Sequence, residues 1–311
     1  MKIRYYSNKQ INKRRWNQVL DESYNVYVYA YSWYLDIVSP GWGALIADDY
    51  RYIMPLPMTK KIGLIFSLQP FYMQQLGVFS PYKITPEIIG EFINHLPQNI
   101  RFLQLHFNKF NPLPKINNPL ITIQQRVSFE LDLILPYIEL YRRFNENTRR
   151  NIKAFKKHNL TVKIDSLDGK TFLDFYKTTS ERQFKGIFKP KHFEIVKQLL
   201  AMQGLLDYKI YAYSAHDISD KVLSVALFVY GHGRLIYLLN ATNDKGKSMK
   251  AGFGIIDTVI ESFAGNNVIL DFAGGQLGNM GRFYGGFSAE KFEYSLLKIN
   301  RLPFFMRPFL R

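Results

Sequence analysis

The sequence predicts an α/β (α+β) protein of two domains, mixed sheets flanked by helices, divided at 1–136 and 137–311. Three observations predict this class. The chain has 311 residues, about two domains at roughly 100–200 residues each. Short strand-like runs separated by turn residues recur in both halves. Between Leu235 and Gly275 a strand, a helix and a second strand follow at a spacing that permits a crossover to a parallel strand.

The elements run in order as follows. Residues 10–38 read as helical, stopped by Pro40-Gly41. Trp42–Ala47, Tyr50–Met58 and Leu64–Leu68 read as strands joined by turns at Asp48-Asp49 and at 60–63. Gln69–Gly77 reads as a polar-aromatic loop or strand edge, and Pro86–His95 as a helix with proline at its start. Strands near Arg101–Asn108 and Ser128–Leu133 close the first half around a proline-containing loop, 109–119. The second half opens with basic helices at Tyr137–Phe144 and Thr148–His158, the latter capped by Asn147 or Thr148. A strand Leu160–Ile164, a helix Lys170–Phe184 and a further helix to Met202 follow. The strands Asp207–Tyr213, Val222–Tyr230 and Leu235–Ala241 lead to a glycine-containing turn at Gly246–Gly254. A helix to Ala264, a strand Val268–Ala273, a loop Gly274–Gly286 and a strand Lys291–Ile299 complete the chain before an aromatic tail, 302–311.

Composition narrows the chemistry. The absence of cysteine removes a disulfide framework, a thiol nucleophile and Cys-based zinc or iron–sulfur sites. The six histidines never stand at an HxxxH spacing, so no metal is expected. No stretch approaches the roughly 18 apolar residues of a membrane span, and the first residues lack the apolar core of a signal peptide. The reading is cytoplasmic, without an integral membrane segment; the aromatic tail is the candidate for peripheral membrane contact. A net charge of +16 attracts nucleic acid, anionic lipid or phosphate-bearing small molecules alike, and also fits a basic surface with no such partner.

The chemistry concentrates in the crossover. The strand LIYLLNAT is followed by KGKSMKAGFG, then by the helix IIDTVIESF and the strand VILDFA. Lysines and glycines at a helix start offer positive charge and free N–H groups to a phosphate.

This layout resembles the core of the GNAT acyltransferases, whose coenzyme A pyrophosphate sits on a (Gln/Arg)-x-x-Gly-x-(Gly/Ala) turn. Met249-Lys-Ala-Gly252-Phe-Gly254 matches both small positions and has Met at the first. The resemblance implies that Lys247, Lys250, Gly252 and Gly254 hold the phosphates. Asn147-Thr-Arg-Arg-Asn-Ile-Lys153 is similar to the basic helix opening the second domain of Fem-like and CelD-like transferases. Thr179-Ser-Glu-Arg182-Gln-Phe184 resembles a Thr, Arg and Phe helix motif of the Fem family. Leu270-Asp-Phe-Ala-Gly-Gly275 and Arg282-Phe-Tyr-Gly-Gly-Phe287 resemble its closing strand and last conserved element. The inserted helical arm of some Fem proteins is missing.

The resemblance implies two tandem GNAT-like domains, the first on the acceptor side and the second holding the acyl donor. It implies acyl-CoA or acetyl-CoA as donor, with aminoacyl-tRNA as the alternative, and a small-molecule or cell-wall or lipid-precursor acceptor in the cell envelope, as in peptidoglycan synthesis. Fem enzymes that use tRNA carry a lysine where this chain has Tyr284, which shifts the expectation to acyl-CoA. On this reading Tyr284 protonates the departing thiolate and Asp271 orients or deprotonates an amine. Arg182 and Arg282 hold a phosphate or carboxylate, and Gln74 and Gln75 hydrogen-bond a sugar or amide. Most of these residues also have a plainer account: Tyr284 a core tyrosine, Asp271 an aspartate tying down a glycine loop, Arg182 an exposed helix arginine, Gln74 and Gln75 polar groups at a strand edge. A binding protein with a degenerate acyl site, consistent with Met249, is the rival from another class.

Overall fold

The computed structural model describes residues 1–61, 63–204, 208–275 and 278–303. Two compact units emerge, Met1–Arg126 together with Glu293–Arg311, and Val127–Phe292. The sequence reading drew one break after residue 136. The last strand nevertheless folds with the first unit, since Ser295–Asn300 pairs antiparallel with 102–107.

In the first unit the chain forms β1 (Ile3–Ser7), α1 (Lys13–Glu22), α2 (Ser32–Val38), β2 (Gly43–Ala47), β3 (Tyr52–Leu56), β4 (Thr59–Lys61), β5 (Leu64–Leu68), α3 (Pro86–Asn94) and β6 (Ile100–Phe107). Strands β1, β2 and β3 make an antiparallel sheet. Strands β4 and β5 form a hairpin, and β5 runs parallel to β6. Every residue of β2 and β3 is buried, so these strands read as continuous apolar runs. Thr85 caps α3, whose first residue is Pro86, as the sequence predicts. Strand β1 escapes the sequence reading because its burial is confined to Ile3.

The second unit begins within β7 (Ile121–Asp132), of which it holds the residues from Val127. It continues through α4 (Tyr137–Arg143), α5 (Glu146–Lys157), β8 (Thr161–Ile164), α6 (Gly169–Gln183), α7 (Pro190–Ala201), β9 (Lys209–His216), β10 (Val222–Gly231) and β11 (Arg234–Thr242). Then come α8 (Asp244–Ser248), α9 (Ala251–Phe263), β12 (Ile269–Asp271), α10 (Gly278–Gly286) and β13 (Glu290–Asn300), which crosses into the first unit. Strand order is β7-β12-β11-β10-β9-β8. Among the described residues of this unit only β11 and β12 pair parallel, and α9 is their crossover helix. Helix α9 buries Ile255, Ile256, Val259 and Ile260 in the core with Phe228, Leu270 and Phe287.

Three expectations need correction. The cap of α5 is Asn145, whose Oδ1 accepts from Thr148 N at 2.8 Å. The expected turn at 246–254 is mostly helical: α8 ends, Lys250 alone takes a left-handed φ of 65°, and α9 starts. The expected loop 274–286 contains α10. Its glycines disfavour a helix, but Phe283 and Tyr284 pack on Phe253 and Phe272 at 4.8 and 4.5 Å between ring centroids and hold it. The tail from residue 304 lies outside the described residues.

Candidate functional site

The site is built on a parting of strands. Strands β11 and β12 pair only from Arg234↔Ile269 to Ile236↔Asp271. Strand β12 ends there, while β11 runs on to Thr242. Beyond Ile236 its edge on that side has no parallel partner among the described residues. On the other side the register with β10 slips: Leu239 faces Leu227, yet Tyr237 faces Phe228. Leu238 is therefore an extra residue, a bulge that re-aims the local backbone at the point of parting.

Aromatic rings close the base of the parting. Tyr237 stacks on Phe228 at 4.9 Å and meets Phe272 at 6.3 Å, and Phe272 stacks on Tyr284 at 4.5 Å. Tyr284 is only 3% exposed. Burial, and secondarily the charge of Asp271, push its phenol well above the ordinary value. It is a neutral hydrogen-bond donor at physiological pH. Asp271, wholly buried, receives Arg234 Nη1 at 2.9 Å and the Ala273 N–H at 2.9 Å. The same Nη1 reaches Glu130 at 3.1 Å. Burial raises the Asp271 carboxyl and the Arg234 charge opposes that rise. This geometry supports an anchoring role for Asp271, with its carboxylate occupied.

At the far end of β11 the materials change. Asn243 caps α8 by accepting from Gly246 N at 2.8 Å. Asp244 binds Arg182 at 3.0 Å and Lys247 at 3.5 Å, which brings those two expected site residues together. All three side chains are more than half exposed, so these pairs are weak and an incoming phosphate can displace Asp244. A cavity of about 510 Å³ beside them is lined by Asp174, Thr179, Arg182, Gln183, Asn243 and Asp244. Gln183 Nε2 donates to Thr242 O at 2.5 Å, tying α6 to the end of β11.

The two glycines of the α9 start differ. A Cβ on Gly252 would meet only Thr242 Oγ1, at 3.8 Å. A Cβ on Gly254 would lie 2.3 Å from the Phe155 ring, so the packing of α9 on α5 accounts for that glycine. Met249 packs its side chain against the apolar core, which accounts for Met at the first position of the motif. Lys247 is exposed, Lys250 half-buried, and Arg282 exposed on α10.

Gln74 and Gln75 lie in the first unit, in the irregular segment after β5. Gln75 is wholly buried; its Nε2 donates to Gln74 Oε1 at 3.0 Å, and its own Oε1 has no partner. The Gln74 carbonyl oxygen lies 2.9 Å from His106 Nδ1, whose ring burial disfavours charging. Gln75 thus faces the interior, and Gln74 is half-buried.

Sequence reasoning missed Arg234, Asp244, Tyr237 and the bulge at Leu238. Asn243-Asp244 is a legible helix start, a cap followed by an acid. A single arginine opening an apolar strand is a weaker signal, and the bulge has none. Among the described residues no group of three or more His, Asp or Glu side chains could hold a metal ion. No helix among them is long and apolar enough to cross a membrane.

No family model matches the chain, and no curated protein sequence does. Solved structures do. The crystal structure of FemX is similar with a TM-score of 0.64 at 10% identity, covering 95% of this chain and 97% of that one. The C-terminal domain of a putative lysylphosphatidylglycerol synthetase from Agrobacterium fabrum gives 0.52 at 9%, over 85% of this chain and 84% of that one. L-PGS from Bacillus licheniformis gives 0.50 at 11%, over 84% and 85%. At such identities the likeness speaks for the fold alone: this chain has a mixed α/β fold like that of the FemX structure.

Proposed function

We propose that the chain is an acyltransferase moving an acyl group from acyl-CoA to an amine, or a hydroxyl, of a cell-envelope acceptor. The observation that carries this reading is the parting of β11 and β12, with a bulge at Leu238 and a lysine-bearing helix start at its open end. Such a slot takes an extended thioester beside the free edge of β11. Its phosphates would meet Lys247, Lys250 and the first N–H groups of α9, with Arg182 alongside.

In the step itself the amine nitrogen attacks the thioester carbonyl carbon. The carbonyl oxygen takes the negative charge, and a backbone N–H re-aimed by the bulge, together with the Tyr284 hydroxyl, suits its stabilisation. The C–S bond then breaks, the amine proton leaves, and the thiolate is released or protonated from solvent. The neutral phenol of Tyr284 hydrogen-bonds the developing charge, and Asp271 with Arg234 fixes the end of β12 beneath it.

A second reading, with aminoacyl-tRNA as donor, draws on the exposed cations Arg150, Lys153, Lys156 and Lys157 along α5. A binding protein without turnover is the third. One experiment separates them. Coenzyme A should raise the melting temperature, and acetyl-CoA with a panel of amines should release free thiol. A thermal shift without thiol release favours the binding protein. No shift with coenzyme A, together with binding of tRNA tighter than of heparin at physiological salt, favours the tRNA donor.

A further inference from the structure

The connection from α6 to α7 carries an unusual pattern. Its residues are Phe184, Lys185, Gly186, Ile187, Phe188 and Lys189, with Lys191 following in the first turn of α7. No Asp or Glu stands between Arg182 and Phe193. Phe188 turns inward, its ring 6.1 Å from Tyr176 and 5.9 Å from Phe193, and it anchors the loop. Gly186, at φ 78°, reverses the chain. Phe184 and Ile187 are left 43% and 52% exposed. Lys185, Lys189 and Lys191 are exposed around them.

Phe184 rests one edge on Phe188 at 6.0 Å between ring centroids, and the exposed parts of Phe184 and Ile187 are a standing cost in water; their anchored presentation argues for an apolar medium. The ring of lysines specifies that medium further. We propose that this loop is an interfacial wedge that seats the protein on an anionic lipid surface. Phe184 and Ile187 enter the boundary between headgroups and acyl chains, and the three lysines meet anionic headgroups. A polyanion such as RNA satisfies the lysines and leaves Ile187 without a partner. The inference does not rest on the transferase reading. It adds a location to it, because Thr179, Arg182 and Gln183 on the preceding turns line the 510 Å³ cavity, and docking brings that cavity to headgroup level.

The test is co-sedimentation of the full chain with vesicles of phosphatidylcholine alone and of equimolar phosphatidylcholine and phosphatidylglycerol. The mixed vesicles should bind about 100-fold more tightly, since each lysine near the surface contributes about five-fold. Lys185→Ser with Lys189→Ser should lower that partition about 25-fold. Phe184→Ser with Ile187→Ser should lower it at least about tenfold while leaving binding of a single-stranded RNA oligonucleotide unchanged. Ile187→Ser alone, a change at a half-exposed side chain, serves if the double variant loses melting temperature; it should lower the partition about five-fold. Equal binding to both vesicles, or no binding, overturns the proposal. So does an apolar variant that binds vesicles like wild type, which would make the loop a general polyanion surface.

Discussion

The two ends of β11 are made of opposite materials. At Arg234 the strand begins in a dry cluster with Glu130 and the fully buried Asp271, under the stacked rings of Phe272 and Tyr284. At Thr242 it ends among Asp244, Lys247 and Arg182, each more than half exposed and weakly paired. Residues at the dry end hold the fold and flank the proposed chemistry together, so a substitution there disturbs both. Residues at the wet end can be exchanged with the fold intact, so binding can be measured by itself.

The largest effect expected is at Arg234. Arg234→Met leaves the buried Asp271 without its arginine and takes the same contact from half-buried Glu130, and removal of one partner from a buried ion pair costs about 3–5 kcal/mol. Urea denaturation gives the number. A loss below about 1 kcal/mol would show that the dry end is better solvated than its burial implies. Adding Asp271→Asn should recover part of the loss, because the uncompensated charge is then gone.

Tyr284 comes next. Tyr284→Phe keeps the stack on Phe272 and removes only the hydroxyl, so melting temperature and donor affinity should stay nearly constant. The proposed role requires turnover to fall about 10²-fold, equivalent to about 2.7 kcal/mol of transition-state stabilisation. Tyr284→Ala should instead cost about 3–5 kcal/mol of stability. A Phe variant of full activity would leave Tyr284 as a core ring. The phenol stays protonated well past pH 10, so this residue should impose no alkaline limit on the rate below that pH.

The legibility of the molecule follows the same division. The crossover from Leu235 to Gly275 could be read because its periodicity, turn residues and spacing are local. Helix α10 could not, because its glycines argue against a helix and the rings that hold it, Phe253 and Phe272, come from other elements. The partner of Asp271 and the bulge at Leu238 are likewise facts of strand pairing, which no local pattern encodes. Gly254 shows the reverse case, in which packing adds a second account to a motif position. Its place in a motif invites a phosphate role, whereas Phe155 lies where any side chain would go.

Gly252 and Gly254 turn that point into a measurement. Gly254→Ala drives a methyl into the Phe155 ring and should cost about 1–3 kcal/mol, with Phe155→Leu relieving some of it. Gly252→Ala meets nothing closer than 3.8 Å and should be neutral or stabilising by up to about 1 kcal/mol, as for alanine in a helix. If phosphates approach this helix start, Gly252→Ala and the pair Lys247→Glu, Lys250→Glu should each weaken coenzyme A in calorimetry without lowering the melting temperature. Unchanged affinity in both would move the donor away from α9.

The smallest effect is a matter of pH, and it sets two aspartates against each other. Asp217 binds Lys245 at 2.6 Å and accepts from the N–H groups of Lys221 and Ser219, each at 3.0 Å. The Lys245 contact first, and the Lys221 N–H second, hold its carboxyl at about 2. An unfolded aspartate titrates near 3.9, so the folded state keeps this one ionised longer. Its contribution is therefore complete above about pH 4 and fades as the pH falls toward 2. Asp271 has the opposite sign: burial raises its carboxyl, so the folded state prefers it protonated and stability declines as the pH rises from about 4 through the raised value. Asp217→Asn should accordingly lower the melting temperature by a constant amount between pH 5 and 7, and by a shrinking amount below pH 4, as read by calorimetry at matched ionic strength. A deficit that stays constant down to pH 2 would mean that asparagine disturbs the turn itself, and that the ion pair to α8 contributes nothing.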